Sequence, residues 1–319
     1  MARADEGLAT SRSPGRQDLQ PGQVSRVVVH DVATGEGRIV HVSDRLLESP
    51  NWTPDGGTLV VNGGGDLYRL PVGGGEPQRI DTDGVGHVNN DHVLTPDGRT
   101  VVFSAAGHLY RVPIDGGAAT RISNDPDTEY GCWLHGISPD GGTLAYVAVE
   151  PEGGDPRGRR NLATIPFAGG PDRLLTDGTG YDGPEYSPDG RWLHYNSEEA
   201  AERPGHAQLF RIALDGGRPT GAAPERLTAD DRVNWFPHLD PGGTRAVYIS
   251  YDPGTVTHPA DTWVELRLIP AAGGEPVTAV ALFGGQGTLN VNGWAPDGSA
   301  FAYVDYPSRA YADEHGGAA

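Results

Sequence analysis

Ser138-Pro-Asp-Gly-Gly-Thr-Leu-Ala-Tyr146 is the stretch whose reading decides the fold, because the chain writes it out again and again. Pro54-Asp55-Gly56, Pro96-Asp97-Gly98, Pro188-Asp189-Gly190 and Pro296-Asp297-Gly298 repeat its core, and Pro241-Gly242-Gly243 is a worn copy. Successive prolines stand 42, 43, 49, 53 and 55 residues apart. Proline presets φ at a turn corner, Asp bonds its own local backbone, and Gly accepts positive φ. Each copy runs into an apolar segment such as Thr58-Leu-Val-Val61 or Thr100-Val-Val-Phe103, so the phrase reads as a hairpin turn between two strands. A period of roughly 40–50 residues with four short strand patterns per unit predicts β-propeller blades.

Six units nearly fill the 319 residues, which predicts one all-β, six-bladed propeller of four-stranded antiparallel blades over residues 23–306. Residues 1–22 read as a disordered tail and residues 307–319 as a C-terminal tail. Ser25 to His30 and Arg38 to Val42 form a strand pair with no inner pair before it, and Leu289 to Tyr306 is an inner pair with no outer pair after it. The two halves predict a ring closed by N-terminal strands joining the C-terminal blade, which leaves no free sheet edge.

Composition excludes several classes. A net charge of −19 disfavours nucleic acid and anionic membrane surfaces as partners. The chain has no lysine, which removes Schiff-base chemistry, and the single Cys132 allows no internal disulfide. The polar N-terminus lacks a signal-type apolar run, which gives a cytoplasmic expectation. No Gly-x-Ser-x-Gly elbow, phosphate loop or dinucleotide fingerprint occurs, so no nucleotide cofactor is expected.

The distance from the first to the second turn of a unit is 17 residues in blades one and two but 27 in blade three and 29 in blade five. The additions fall at Glu150–Arg160, Glu198–His206 and Asp252–Asp261. In an up-and-down blade these lie at the same end as the segments leading into each blade, and a face enlarged in this way is where binding or catalysis concentrates. The polar, aromatic lead-in segments converge there.

His92, His135, His238 and His258 come from four blade contexts on that face, and their imidazoles suit a divalent ion such as Mn, Ca or Zn. His92, His135, Glu185 and His238 are candidate acid/base groups, and Asp91, Asp182 and Glu185 are alternatively the acid/base carboxylates of a glycosidase or lyase or carboxylate ligands of the ion. Asn90, Asp91, Asp182, Asn234, Gln286, Asn290 and Asn292 suit sugar hydroxyls, and Trp133 and Trp235 suit stacking on a sugar face. Arg157, Arg159 and Arg160 are weaker candidates that fit a carboxylate-bearing substrate. Trp52, Tyr186 and Trp294, two residues before their turn prolines, read as packing between blades.

The Ser138–Tyr146 phrase and its copies resemble the propeller repeat of the TolB family over about residues 24–306. Asn89-Asn-Asp-His92, Trp133-Leu-His-Gly136, Asp182-Gly-Pro-Glu-Tyr186, Asn234-Trp-Phe-Pro-His238 and Gly284-Gly-Gln-Gly-Thr288 resemble a TolB-like bacterial subgroup. That resemblance implies a six-bladed propeller. A looser likeness, in fold alone, is to oligogalacturonate lyases, propellers that hold Mn with His and Gln. The expected function is therefore a carbohydrate-active enzyme, a lyase or hydrolase of a sugar or uronate glycosidic bond, with a bound divalent ion. The alternative is a non-catalytic propeller binding a protein or small ligand at the same face.

Overall fold

A computed structural model describes residues 16, 18–124, 131–152, 155–201 and 203–315. Most of the N-terminal segment expected to be disordered, and Arg157 among the candidate cations, lie outside the described residues or side chains. The architecture is a six-bladed β-propeller of antiparallel blades with, among the described residues, a single short helix, Arg309–His315. Blade one shows the pattern, with strands Glu48–Trp52, Thr58–Gly63, Asp66–Pro71 and Gln78–Ile80 in sheet order. In the sixth blade Ser25–Asp31 pairs with Ala300–Asp305 on one side and with Gly37–Ser43 on the other. Its innermost strand is reduced to a single bridge between Trp294 and Phe301.

The repeated turn works as its residues dictate. In blade one the Thr53 hydroxyl donates to Asp55 at 2.6 Å and accepts from Thr58 N, while Asp55 also accepts from Gly57 N. Thr95 with Asp97, Ser138 with Asp140 and Ser187 with Asp189 repeat this arrangement. The worn copy is compensated. Asp240 stands one residue ahead of its proline and itself accepts from Thr244 N and Arg245 N. In blade six, where Ala295 has no hydroxyl, Ser299 supplies one from the far side of the turn.

Each turn also touches its neighbour. A Cβ added to Gly98 would stand 2.7 Å from the Pro54 ring, and those of Gly141, Gly190, Gly243 and Gly298 would meet Pro96, Pro139, Pro188 and Pro241. Gly56 meets Pro296 and closes the circle. Six glycines at φ 63–74° therefore each lie against the proline of the preceding blade. The conformation favours glycine over any side chain.

Apolar strand residues fill the seams between blades, among them Val60 with Val101 and Phe103, and Ala145 with Leu193 and Tyr195. Tyr186 and Trp294 are buried in such seams, and partly buried Trp52 packs against another, as expected.

Three local readings differ from expectation. The blade-three addition is not a loop but an elongated hairpin, Thr143–Glu152 paired with Asp155–Pro166. The outer strand of blade four is split into Arg218–Pro219 and Glu225–Arg226, both paired with Gln208–Asp215. At the two ends, Leu19 packs against the propeller core and the terminal helix buries Ala312, so neither end is wholly a free tail.

Candidate functional site

The first strand of each of blades one to five carries a β-bulge, a break in register. In blades one, four and five the bulge is built alike, as Glu48-Ser49-Pro50, Asp182-Gly183-Pro184 and Trp235-Phe236-Pro237, with positive φ at the middle residue. A left-handed φ of 54° at a buried phenylalanine is uncommon and strained. Six residues before each turn proline stand Glu48, Asn90, Trp133, Asp182, Trp235 and Asn290, one from each blade.

Around this row the structure assembles two connected groups. In the first, His135 Nε2 lies 3.2 Å from Asp182 Oδ1, and Arg160 Nη1 lies 3.5 Å from Asp182 Oδ2. All three residues are buried. His135 stacks on Phe236, and His258 packs edge-on against both Phe236 and Trp235. His258 Nδ1 contacts Gln286 Oε1, which also accepts from Asn290 Nδ2 at 3.0 Å. Burial favours the neutral acid in Asp91, and the nearby Asp182 charge adds to it, so Asp91 rises to about 6 although His135 opposes the shift. Asp182 meets the same burial, but the His135 hydrogen bond and the charges of His135, Arg160 and His258 hold it down at about 2. His135 is raised because Asp91 and Asp182 outweigh its burial, whereas burial lowers His258 to about 4.

The second group centres on Glu48. Burial pushes it up to about 7, against hydrogen bonds from Asn62 and Asn90 and the charge of Arg16. Arg16 comes from the N-terminal segment. Its guanidinium stands 3.7 Å over the Tyr306 ring, 2.6 Å from Asp261 Oδ1 and 3.3 Å from the Gly284 carbonyl.

Several expected site residues lie elsewhere. His92 Nε2 bonds the Val60 carbonyl of the preceding blade, and burial drops it to about 4. His238 Nδ1 contacts Glu185 Oε2 at 2.7 Å and its Nε2 faces the Leu289 carbonyl at 3.2 Å. Glu185 Oε1 accepts from Leu239 N and Asn292 Nδ2. Glu185, His238 and Asn292 are therefore a satisfied pin joining blades four, five and six, rather than free acid/base or substrate groups. Asn234 is bonded to Asp230, Gln208 and Ser250. Trp235 is fully buried and leaves no face for a sugar, whereas Trp133 remains partly exposed.

The four-histidine metal site is not assembled. Among the described residues no three His, Cys, Asp or Glu side chains gather as a group that could hold a metal ion. The donor set present does not fit a shared divalent ion, and no chemistry is routed through one below. Sequence reading singled out neither Arg16 nor Glu48. The six-before-proline register would have found Glu48, and no sequence signal marks Arg16.

A ring of antiparallel blades, its sixth completed by pairing of Ser25–Asp31 with Ala300–Asp305, defines the class as a six-bladed β-propeller. No family model matches the chain. An uncharacterized protein of Agrobacterium fabrum is 36% identical over 285 residues, spanning 88% of this chain and 92% of its own length. The solved structure of a protein assigned to TolB from Agrobacterium tumefaciens superposes with a TM-score of 0.80 at 35% identity, over 89% of this chain and 99% of that one. The chain belongs to this TolB-like propeller family. An oligogalacturonate lyase in complex with manganese shares the fold alone, with a TM-score of 0.55 at 16% identity over 85% of this chain and 75% of that one.

Proposed function

We propose that the protein cleaves a glycosidic bond in a sugar-like substrate at the Asp91–His135–Asp182 group, with Asp91 as proton donor and Asp182 as the ionised carboxylate. One observation carries the reading. Two buried carboxylates interact with the same imidazole, His135, and their environments push them apart, to about 6 and about 2. Carboxyl groups separated in this way take acid and base roles at neutral pH. Asp91 would protonate the leaving oxygen, and Asp182 would take a proton either from the water that bonds to the anomeric carbon, in hydrolysis, or from the carbon beside the uronate carboxylate as the double bond forms, in elimination. His135, raised by both, would relay between them. Arg160 suits a substrate carboxylate such as that of a uronate, and Asn90, Gln286 and Asn290 suit hydroxyls.

The test is turnover of uronate oligosaccharides and aryl glycosides by wild type and Asp91→Asn. Loss of about 100-fold or more in the variant, at unchanged thermal midpoint, is expected for a general acid. Equal turnover by the two proteins, or none on any substrate, overturns the reading. A second reading is favoured by the closely bonded, buried state of most polar groups here and by the TolB-type relative. In it the same face binds a protein or small ligand without reaction, and binding survives Asp91→Asn.

A further inference from the structure

The Arg16 pocket has three walls of different chemistry, all furnished by the propeller or its loops. Tyr306, fully buried, presents its ring face to the guanidinium at 3.7 Å. Asp261 gives a carboxylate at 2.6 Å, and the Gly284 main chain gives a carbonyl at 3.3 Å. An aromatic face, a carboxylate and a carbonyl around one planar cation are the elements of guanidinium recognition. Glu48 adds a further acidic group, close enough for its ionisation to depend on Arg16. The Arg16 side chain is only 1% exposed.

Arg16 is itself the chief hold of its segment on the blades, through Asp261, Tyr306 and the Gly284 carbonyl. The chain is anchored from Gln23 onward, through the Gln23–Ser308 bridge and the Val24 N to Pro307 O bond. Between Arg16 and Gln23 the residues Asp18, Gln20, Pro21 and Gly22 are exposed or partly so, and Asp18 and Gln20 bond only within the segment. Leu19 packs on the core, and the Gly22 carbonyl accepts from Arg309 N.

We propose that this pocket is a recognition site for a guanidinium group carried by another molecule, and that Arg16 occupies it in cis. The site is distinct from the Asp91–His135–Asp182 group, and it stands whether or not that group is catalytic. Its neighbour Glu48 bonds Asn90, which adjoins Asp91, so a ligand anchored at Tyr306 and Asp261 would extend toward that group. A short tether holds Arg16 at an effective concentration on the order of millimolar. A small guanidinium compound therefore does not displace it, whereas a larger ligand with further contacts does. The net charge of −19 favours the approach of a cation.

The test uses ethylguanidinium and N-acetyl-arginine amide as probes and n-butylammonium as a control, read by thermal shift and calorimetry on the full chain. Arg16→Ala should bind both guanidinium probes saturably, at roughly millimolar concentration or tighter, and butylammonium at least tenfold more weakly. Wild type should show at least tenfold weaker binding, and Arg16→Ala combined with Asp261→Asn should show none. If Arg16→Ala does not fold alone, ethylguanidinium present during refolding should restore it and butylammonium should not, and equal failure or equal rescue by the two overturns the proposal. No saturable binding by the folded variant, equal binding by wild type, or no preference over butylammonium overturns the proposal. A preference for the arginine amide over ethylguanidinium would point to an arginyl side chain as the source, and parity would point to a free guanidinium compound.

Discussion

Gly98 and Gly190 share the same φ of 69°, yet an added Cβ would lie 2.7 Å from the Pro54 ring in one case and 3.7 Å from the Pro139 ring in the other. Substituting each by alanine therefore separates two effects that usually arrive together. The left-handed conformation disfavours both alanines alike, by about 1–2 kcal/mol. The loss of unfolded-chain freedom that alanine brings is also common to both and cancels in the comparison. Contact at 3.7 Å is ordinary packing, so Gly190→Ala should show little beyond the backbone term. Contact at 2.7 Å forces the rigid pyrrolidine or its blade to move, which adds about 1–3 kcal/mol of overpacking. At about 2 °C per kcal/mol for a domain of this size, Gly190→Ala should lower the melting temperature by about 2–4 °C and Gly98→Ala by about 4–10 °C. Calorimetry of the two variants side by side makes the measurement. If they agree within about 0.5 kcal/mol, or Gly190→Ala is the worse, then the turn-to-turn contacts do not set the spacing between blades as argued here.

Two further outcomes follow from buried acids. Glu48 is raised by burial from 4.5 to about 7, so the folded protein holds a proton that the unfolded chain releases. That contribution is complete below pH 4.5 and fades as pH rises through about 7, so the melting-temperature advantage of wild type over Glu48→Gln should shrink across this window. A difference that stays flat from pH 4.5 to 8 would refute it. Removing the Glu185 carboxylate strands Leu239 N, Asn292 and His238 together, so Glu185→Ala should destabilise by about 3–5 kcal/mol in chemical denaturation. Glu185→Gln, which keeps an acceptor for Leu239 N, should lose less, and the reverse order would count against the pin.

Where the chemistry is local, the chain could be read directly. Turn, hydroxyl cap and following strand all fit within nine residues at Ser138–Tyr146, and the structure repeats them wherever Thr53, Thr95, Ser138 or Ser187 precedes the turn proline. Even the worn copy was legible as a turn, although not the transfer of its carboxylate to Asp240. Glu150–Arg160 reads from sequence only as an addition, because its glycines and proline carry no strand pattern, whereas pairing with the opposite strand continues the hairpin. Residue type and placement single out Asp91, His135 and Asp182, and on the same grounds Glu185 and His238, which the structure engages in a buried pin, because the same residue types serve a reactive group and a pin. Only the partners of each lone pair distinguish them. Arg16 was invisible because its partner Asp261 lies 245 residues away and nothing near Arg16 hints at it.

Blades one to five are each made of continuous sequence, but Asp31 finds its partner Ala300 only after 269 further residues have been added. At ribosomal speeds of about 5–20 residues per second, that interval is on the order of 15–50 s. Throughout it, one edge of Ser25–Asp31, with Val27, Val28 and Val29 on it, has no strand to meet, while five blades emerge and can stack. The last blade to be completed thus contains the earliest of the described strands, and the species most open to misassembly is a crescent during synthesis rather than the finished ring.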